Sequence, residues 1–293
     1  MIKESVGRRV FYVVNAVCML MLALICLAPI LHVIAMSFSR NSDVMAGKVL
    51  FWPVNTTLAS YRMIMQRSDF FRSFGVSLAR VALGLVVNMS LIMLTAYPIS
   101  KSNNQFHGRT VYAWYLIVTM IFSGGLIPTY MVVRQLGLID TIWALILPGA
   151  LPVWNTVLMM NFYRNIPREI EESAFIDGAN HLIVLLKLYI PLSAPAVATI
   201  ALFTIVGHWN SWFDGLIYIN SNTRYPLQTY LYMIDSAATM GLVSSDNVEQ
   251  MREISDRTLR SAQIVIAMVP VLLAYPFLQK YFTKGIVMGS VKG

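Results

Sequence analysis

Apolar residues along this chain do not alternate with polar ones. They run in long blocks separated by shorter polar stretches. A helix needs about 20 apolar residues to cross a hydrocarbon core of about 30 Å. Six windows approach that length, at approximately residues 11–35, 74–99, 111–133, 142–160, 193–217 and 261–282. The windows holding Arg80 and Arg134 carry a charge at or near the block, and the one near 150 is short. A backbone in lipid must satisfy its own hydrogen bonds, and the dyad repeat of a barrel is missing, so the pattern predicts helices throughout. Between the fourth and fifth windows the chain turns polar, at "EIEESAFIDGANHLIVLLKLYIP", residues 169–191. Pro167 suits a first helical turn, and Glu169 would lie near the positive end of the helix dipole. Gly178 is the residue type that ends helices in a left-handed conformation, and Asn180 can cap a second, apolar helix running to Leu188, closed by Pro191.

Composition strengthens the membrane reading. The chain of 293 residues is 57% hydrophobic and 12% charged, with 18 Met and a mean hydropathy of +0.63. One soluble domain of this length could not bury so much apolar side chain, so the excess must face lipid. The first block follows Lys3, Arg8 and Arg9, is about twice as long as a signal-peptide core and has no small-residue cleavage site after it, so it reads as a retained span. Cys18 and Cys26 both fall within it and read as packing residues.

Six crossings put both termini on one side. Lys3, Arg8, Arg9, Lys280, Lys284 and Lys292 at the ends, with Lys101 and Arg109 between spans two and three, favour a cytoplasmic placement for that side. Arg40, Lys48, Arg62, Arg67 and Arg72 in the first outer connection weigh against it. The net charge of +8 reads as an anchor against anionic headgroups and gives no reason to invoke nucleic acid.

The polar loop then lies on the cytoplasmic side, and it gathers Glu169, Glu171, Glu172 and Asp177 out of only 14 acidic residues in the chain. On its first helix Glu172 and Ile176 share a face, as do Ile170 and Ala174, while Ser173 and Ala174 would let another surface approach closely. The loop is either a docking element or a solvated connection. Glu169 and Glu171 read as helix-start and solvating charges.

Elsewhere, Arg80 and Asn88 in the second span are costly in lipid and are expected to face the bundle interior or a water-filled path. His208, Trp209, Asn210, Trp212, Phe213 and Asp214 cluster near the outer half of the fifth span, where aromatic faces suit sugar rings and Asn and Asp suit hydroxyls. Trp at that depth is equally an interfacial anchor. Pro148, Pro152, Pro270 and Pro276 are expected to kink their helices. The outer segment 218–260, with "SSDNVEQMREISDR", is either a solvated cap or a docking surface. No nucleotide-binding P-loop exists, since Gly47-Lys48 lacks the upstream glycine and is followed by Val49. H-E-x-x-H, a cysteine cluster and G-x-S-x-G are also missing, so no residues present themselves for enzyme chemistry.

"EESAFIDGANHLIVLLKLYIP" resembles the signature of importer-type ABC transporter permeases, Glu-Ala-Ala, three residues, Gly, nine residues, then Ile-x-Leu-Pro. Glu172, Ser173 and Ala174 match the triplet, Gly178 the glycine, and Leu188 to Pro191 the ending. The departures, Ser173 for alanine and the aliphatic types at Leu188 and Ile190, keep the small and apolar character. "LGLIDTIWALILP", "HWNSWFDGLIYI", "YPLQTYLYM" and "KGIVMGSVKG" are similar to the carbohydrate-uptake branch, in particular the second permease of the maltose type, and the tail is closest to oligosaccharide importers such as those for aldouronate and alginate.

The resemblance implies an all-α membrane protein forming one transmembrane domain over 1–293. It would have six transmembrane helices and a cytoplasmic coupling helix between helices four and five, within the loop 163–191. It implies a bacterial inner-membrane permease importing an oligosaccharide, with a companion permease, two ATPase subunits and an extracytoplasmic solute-binding protein. ATP and Mg would be bound by the ATPase partners and no cofactor by this chain. Glu172 would pair with a basic residue of the ATPase, Gly178 supply the turn, Ser173 and Ala174 the close contact, Asp177 a polar contact and Pro191 the close of the loop. The tail from Lys284 to Gly293 is either an anchor or a contact toward the ATPase pair. Arg80, Asn88, Trp209, Asn210, Trp212 and Asp214 are the candidate translocation path. Two other readings are an ion-coupled secondary transporter, which needs acids within its spans where only Asp214 lies near one, and a non-transport scaffold.

Overall fold

The computed structural model describes residues 6–239 and 256–290, and among them there are helices and no strands. The apolar blocks become α1 (Val6–Ser37), α4 (Ser68–Ser100), α5 (Arg109–Ile121), α6 (Leu126–Gln135), α7 (Val153–Arg164), α10 (Ala194–Asn210) and α13 (Asp256–Ser290). Short helices α2 (Asn41–Met45) and α3 (Ala59–Gln66) lie between the first two, and α8 (Arg168–Ile176), α9 (His181–Leu192), α11 (Phe213–Tyr218) and α12 (Leu227–Thr239) complete the set. Among the described residues two helices are long and apolar enough to cross a membrane alone, and five crossings result if each bent pair counts as one.

Three of the apolar blocks are broken in the structure. The block 111–133 is α5 and α6, bent by 115°, because Gly125 sits at φ +84° between them. The block 142–160 begins as 3₁₀ turns over 142–149 and bends by 53° into α7, with Pro152, which has no N–H to continue a helix, at the start of α7. The block 193–217 ends its helix at Asn210 and restarts at Phe213. Pro98, Pro270 and Pro276, by contrast, lie inside continuous helices.

The chain folds as two compact units. The first comprises residues 1–68 and 234–269. Among its described residues Ala35, Val44 and Val49 form one buried cluster, and Tyr61 stacks on Phe38 at 4.9 Å while hydrogen-bonding Ser37 at 2.9 Å. Across its most apolar stretch α1 is not buried at all. A helix apolar on every side calls for apolar surroundings.

The second unit comprises residues 69–233 and 270–293. Its core joins Met89, Ile92 and Ala96 of α4, Met159 and Tyr163 of α7, Val184 and Tyr189 of α9, and Ala196 and Ile200 of α10. Ala96 and Ala196 are fully buried, and small residues there let helix axes approach closely, so that packing supplies association that lipid-like surroundings would not.

Of the outer segment 218–260, read as a solvated cap or a docking surface, residues 240–255 lie outside the described residues. The tail from Lys284 is helical to Ser290, and 291–293 lie outside them.

Candidate functional site

The polar loop folds from local signals. Pro167 precedes α8, whose first turn carries Glu169 and Glu171. At its end Gly178 adopts φ +82°, and the Ala179 and Gly178 amides donate to Ala174 O at 2.9 Å and Phe175 O at 3.0 Å. This is a Schellman ending, which satisfies orphan carbonyls and requires a residue tolerant of the left-handed region. The Asn180 side chain then accepts from the Ile183 amide at 2.9 Å and caps α9.

Pro191 does not close α9 as expected from sequence. The helix widens into a π turn over Leu185–Tyr189 and continues through Pro191 to Leu192. Pro191 has no N–H for the carbonyl four residues back, and the wider turn absorbs the mismatch. The chain then bends by 85° into α10.

α8 has two faces. Glu172, Ser173, Asp177 and Gly178 are exposed, and Ile176 is 86% exposed. Ala174, by contrast, packs against the core. Glu171 corrects its reading as a solvating charge, because it is only 4% exposed. Its Oε1 accepts from Lys101 Nζ at 2.6 Å and from the Tyr97 hydroxyl at 3.4 Å. Its Oε2 accepts from the Tyr189 hydroxyl at 2.8 Å.

Lys101 also donates to the Tyr189 hydroxyl at 2.8 Å and lies 4.0 and 4.1 Å from the ring centres of Tyr97 and Tyr189. Tyr97 bonds His181 Nδ1 at 3.0 Å. Burial pushes the Lys101 ammonium below its ordinary value, and Glu171 opposes that shift through its hydrogen bond and charge. Burial, aided by Glu171, pushes the Tyr189 phenol up, so it stays a donor. One carboxylate thereby ties α8 and α9 to the end of α4.

The candidate path residues partly assemble. Arg80 is 2% exposed and forms an ion pair with Asp214. It also donates to Leu145 O at 3.2 Å, Ser211 O at 3.3 Å and His208 Nδ1 at 3.4 Å. Both carbonyls belong to interrupted backbone, one in the 3₁₀ turns and one between α10 and α11, where no helical amide serves them, so Arg80 supplies donors at two breaks.

Asn88 bonds His208 Nε2 at 3.3 Å from the other side, and its Oδ1 is buried without a hydrogen-bond partner among the described residues. His208, which the sequence places in an aromatic cluster, joins Arg80 to Asn88. Trp209 is buried edge-on against Phe74 at 5.6 Å. Asn210 is exposed, and Trp212 stacks on Tyr232 at 4.3 Å.

Gly84 makes room for this bridge, since a Cβ there would lie 2.6 Å from His208 Cδ2. Overpacking of this kind costs about 1–3 kcal/mol, against which alanine recovers up to about 1 kcal/mol of helix propensity. Gly84→Ala is therefore expected to lower the thermal midpoint of the purified protein, and Gly84→Leu to lower it further.

No protein-family model matches the chain. It is 42% identical over 281 residues to the polygalacturonan/rhamnogalacturonan transport system permease protein of Bacillus subtilis, covering 94% of this chain and 96% of that one. A solved structure of a bacterial ABC transporter involved in the import of the acidic polysaccharide alginate contains a chain similar at TM-score 0.87 and 32% identity, covering 96% of this chain and all of that one. A second, of a bacterial alginate ABC transporter in complex with an alginate pentasaccharide-bound periplasmic protein, shares the fold at TM-score 0.57 and 15% identity, covering 94% and 96%.

Proposed function

This chain belongs to the permease subunits of ABC sugar importers, and from that premise we propose that it translocates an acidic oligosaccharide under the drive of separate ATPase subunits. Its membrane domain, residues 1–293, crosses the bacterial inner membrane six times, with α13 as the last span and both termini in the cytoplasm. α8, within the loop 163–191, is the coupling helix. ATP and Mg reside in the partner ATPases, and a companion permease completes the path. An extracytoplasmic solute-binding protein delivers the sugar.

The observation that carries this reading is the division of α8 into a fixed and an open face. Glu171 is locked to Lys101 and Tyr189, while Glu172, Ser173, Asp177 and Gly178 are exposed. A helix held rigidly on one side and open on the other can transmit a push. Glu172 is placed to accept a charge-assisted bond that sets register in an ATPase cleft, with Ser173 and Ile176 beside it for close contact. The substrate class follows the relatives, polygalacturonan/rhamnogalacturonan for one and alginate for another. Arg80, Asn88, Trp209, Asn210, Trp212 and Asp214 lie along or behind the path, and Trp212 on Tyr232 is an aromatic platform of the kind sugar rings stack on.

In the reconstituted importer with its binding protein, Glu172→Lys and Gly178→Asp are expected to assemble yet lose substrate-stimulated ATP hydrolysis and uptake. A charge-assisted bond of roughly 1.5–3 kcal/mol corresponds to at least about a tenfold loss. Full stimulation in both assembled variants would remove the coupling role. A panel of neutral and uronate oligosaccharides, read by stimulated ATP hydrolysis, tests the substrate class, and stimulation by neutral sugars alone would refute it.

A further inference from the structure

Two cavities of opposite chemistry follow one another along α4, α5 and α7. The first, about 400 Å³, lies at the Lys101 end and is lined by Lys101, Arg109, Tyr163, Arg164, Arg168 and Glu171 among others. The second, about 250 Å³, is lined almost wholly by apolar side chains, including Ile99, Ala113, Leu116, Ile117, Val157 and Met160. One helical turn separates them on two of the helices, since Arg109 and Ala113, and Met160 and Arg164, are four residues apart.

The charges in the first cavity do not cancel. Glu171 is its acid, and Lys101 pairs with it. Arg109, Arg164 and Arg168 have no carboxylate within ion-pair distance among the described residues. Arg109 and Arg164 donate to Ile99 O at 2.9 and 3.5 Å, which steadies their side chains without neutralising them. Tyr163 lines the same cavity and is 1% exposed, and its hydroxyl lacks a hydrogen-bond partner among the described residues. Buried hydroxyls are nearly always paired, so an orphan beside three unneutralised arginines points to an acceptor that belongs there.

We propose that the two cavities together hold one anionic phospholipid. Its phosphate sits among Arg109, Arg164 and Arg168 and accepts from the Tyr163 hydroxyl, and an acyl chain lies in the apolar groove between α5 and α7. Guanidinium forks match phosphate oxygens two at a time, and basic pockets between membrane helices are suited to acidic headgroups. A soluble phosphate would use the basin and leave the groove unexplained. The lipid bridges α5 to α7 immediately beside the helix that carries Glu171, and its binding can be read without measuring transport.

The test titrates the purified, delipidated importer complex with phosphatidylglycerol or phosphatidylcholine and counts bound lipid by native mass spectrometry. Phosphatidylglycerol is expected to be preferred, and Arg109→Gln with Arg164→Gln to weaken it by about fivefold per arginine. Arg168→Gln, which removes no hydrogen bond within the protein, gives the same single-step loss should the double variant fail to assemble. Ala113→Trp, which fills the groove and leaves every charge in place, is expected to reduce bound phosphatidylglycerol as well. Equal binding of the two lipids, or phosphatidylglycerol binding unchanged in all three variants, overturns the proposal. So does displacement of phosphatidylglycerol by an equal concentration of inorganic phosphate, which would mark a soluble-anion site instead.

Discussion

Lys101→Met is expected to be among the most damaging single substitutions in the chain. It leaves Glu171, only 4% exposed, as a buried carboxylate served by tyrosine hydroxyls alone. Removing one member of a buried ion pair costs about 3–5 kcal/mol, because the remaining charge stays desolvated without its counter-charge. Glu171→Gln is expected to cost less. The amide oxygen can still accept from Lys101, and the ammonium retains the two tyrosine faces about 4 Å away, each worth roughly 0.5–2 kcal/mol. The double variant Lys101→Met, Glu171→Met is expected to regain much of the lost stability, since apolar pairs of similar volume often match a buried ion pair. Thermal midpoints and assembly yields of the complexes check this order. A double variant as unstable as Lys101→Met alone would show that the site needs charge, not merely volume.

Glu171 also separates what is legible in the sequence from what is not. The loop's architecture is written locally: Pro167 opens α8, Gly178 ends it and Asn180 caps α9, and the structure has each. Which acid faces inward is not a matter of residue type. At about 100° per residue, Glu171 falls within the stripe of Ile170, Ala174 and Phe175, whereas Glu169, Glu172, Ser173 and Ile176 fall on the opposite side. That signal was present in the helical wheel. What no local pattern supplies is Lys101, seventy residues earlier, which makes the burial of an acid tolerable.

The long helices show a related limit. Hydropathy over twenty-residue windows measures length and oiliness and does not register that Gly124-Gly125 or Asn210-Ser211 interrupts a helix. Once interrupted, the backbone needs donors from elsewhere, and Arg80, expected from sequence to face the bundle interior or a water-filled path, supplies them.

That dual role of Arg80 leads to the second large effect, an asymmetry between the two ends of its ion pair. Asp214→Asn is expected to destabilise more than Arg80→Gln, although both remove the same pair. Arg80 has only 3% of its side chain exposed, against 23% for Asp214. In Asp214→Asn the guanidinium keeps its charge but has only neutral acceptors, the new amide oxygen, two carbonyls and a histidine nitrogen, and an uncompensated buried charge costs about 3–5 kcal/mol. Without Arg80 the carboxylate still accepts from Ser211 Oγ at 2.8 Å and the Gly215 amide at 2.9 Å, and it is less enclosed than the guanidinium. The loss is then nearer the roughly 1.5–3 kcal/mol of bonds to a charged group, together with the two carbonyls left unserved. The pair couples α4 to the break between α10 and α11, so the double variant should be less harmful than the sum of the singles. Thermal unfolding of the four proteins in one lipid composition measures that cycle. Equal losses for the two singles would mean that solvent reaches Arg80 as readily as Asp214, and the dry, carbonyl-serving role assigned to it would have to be given up.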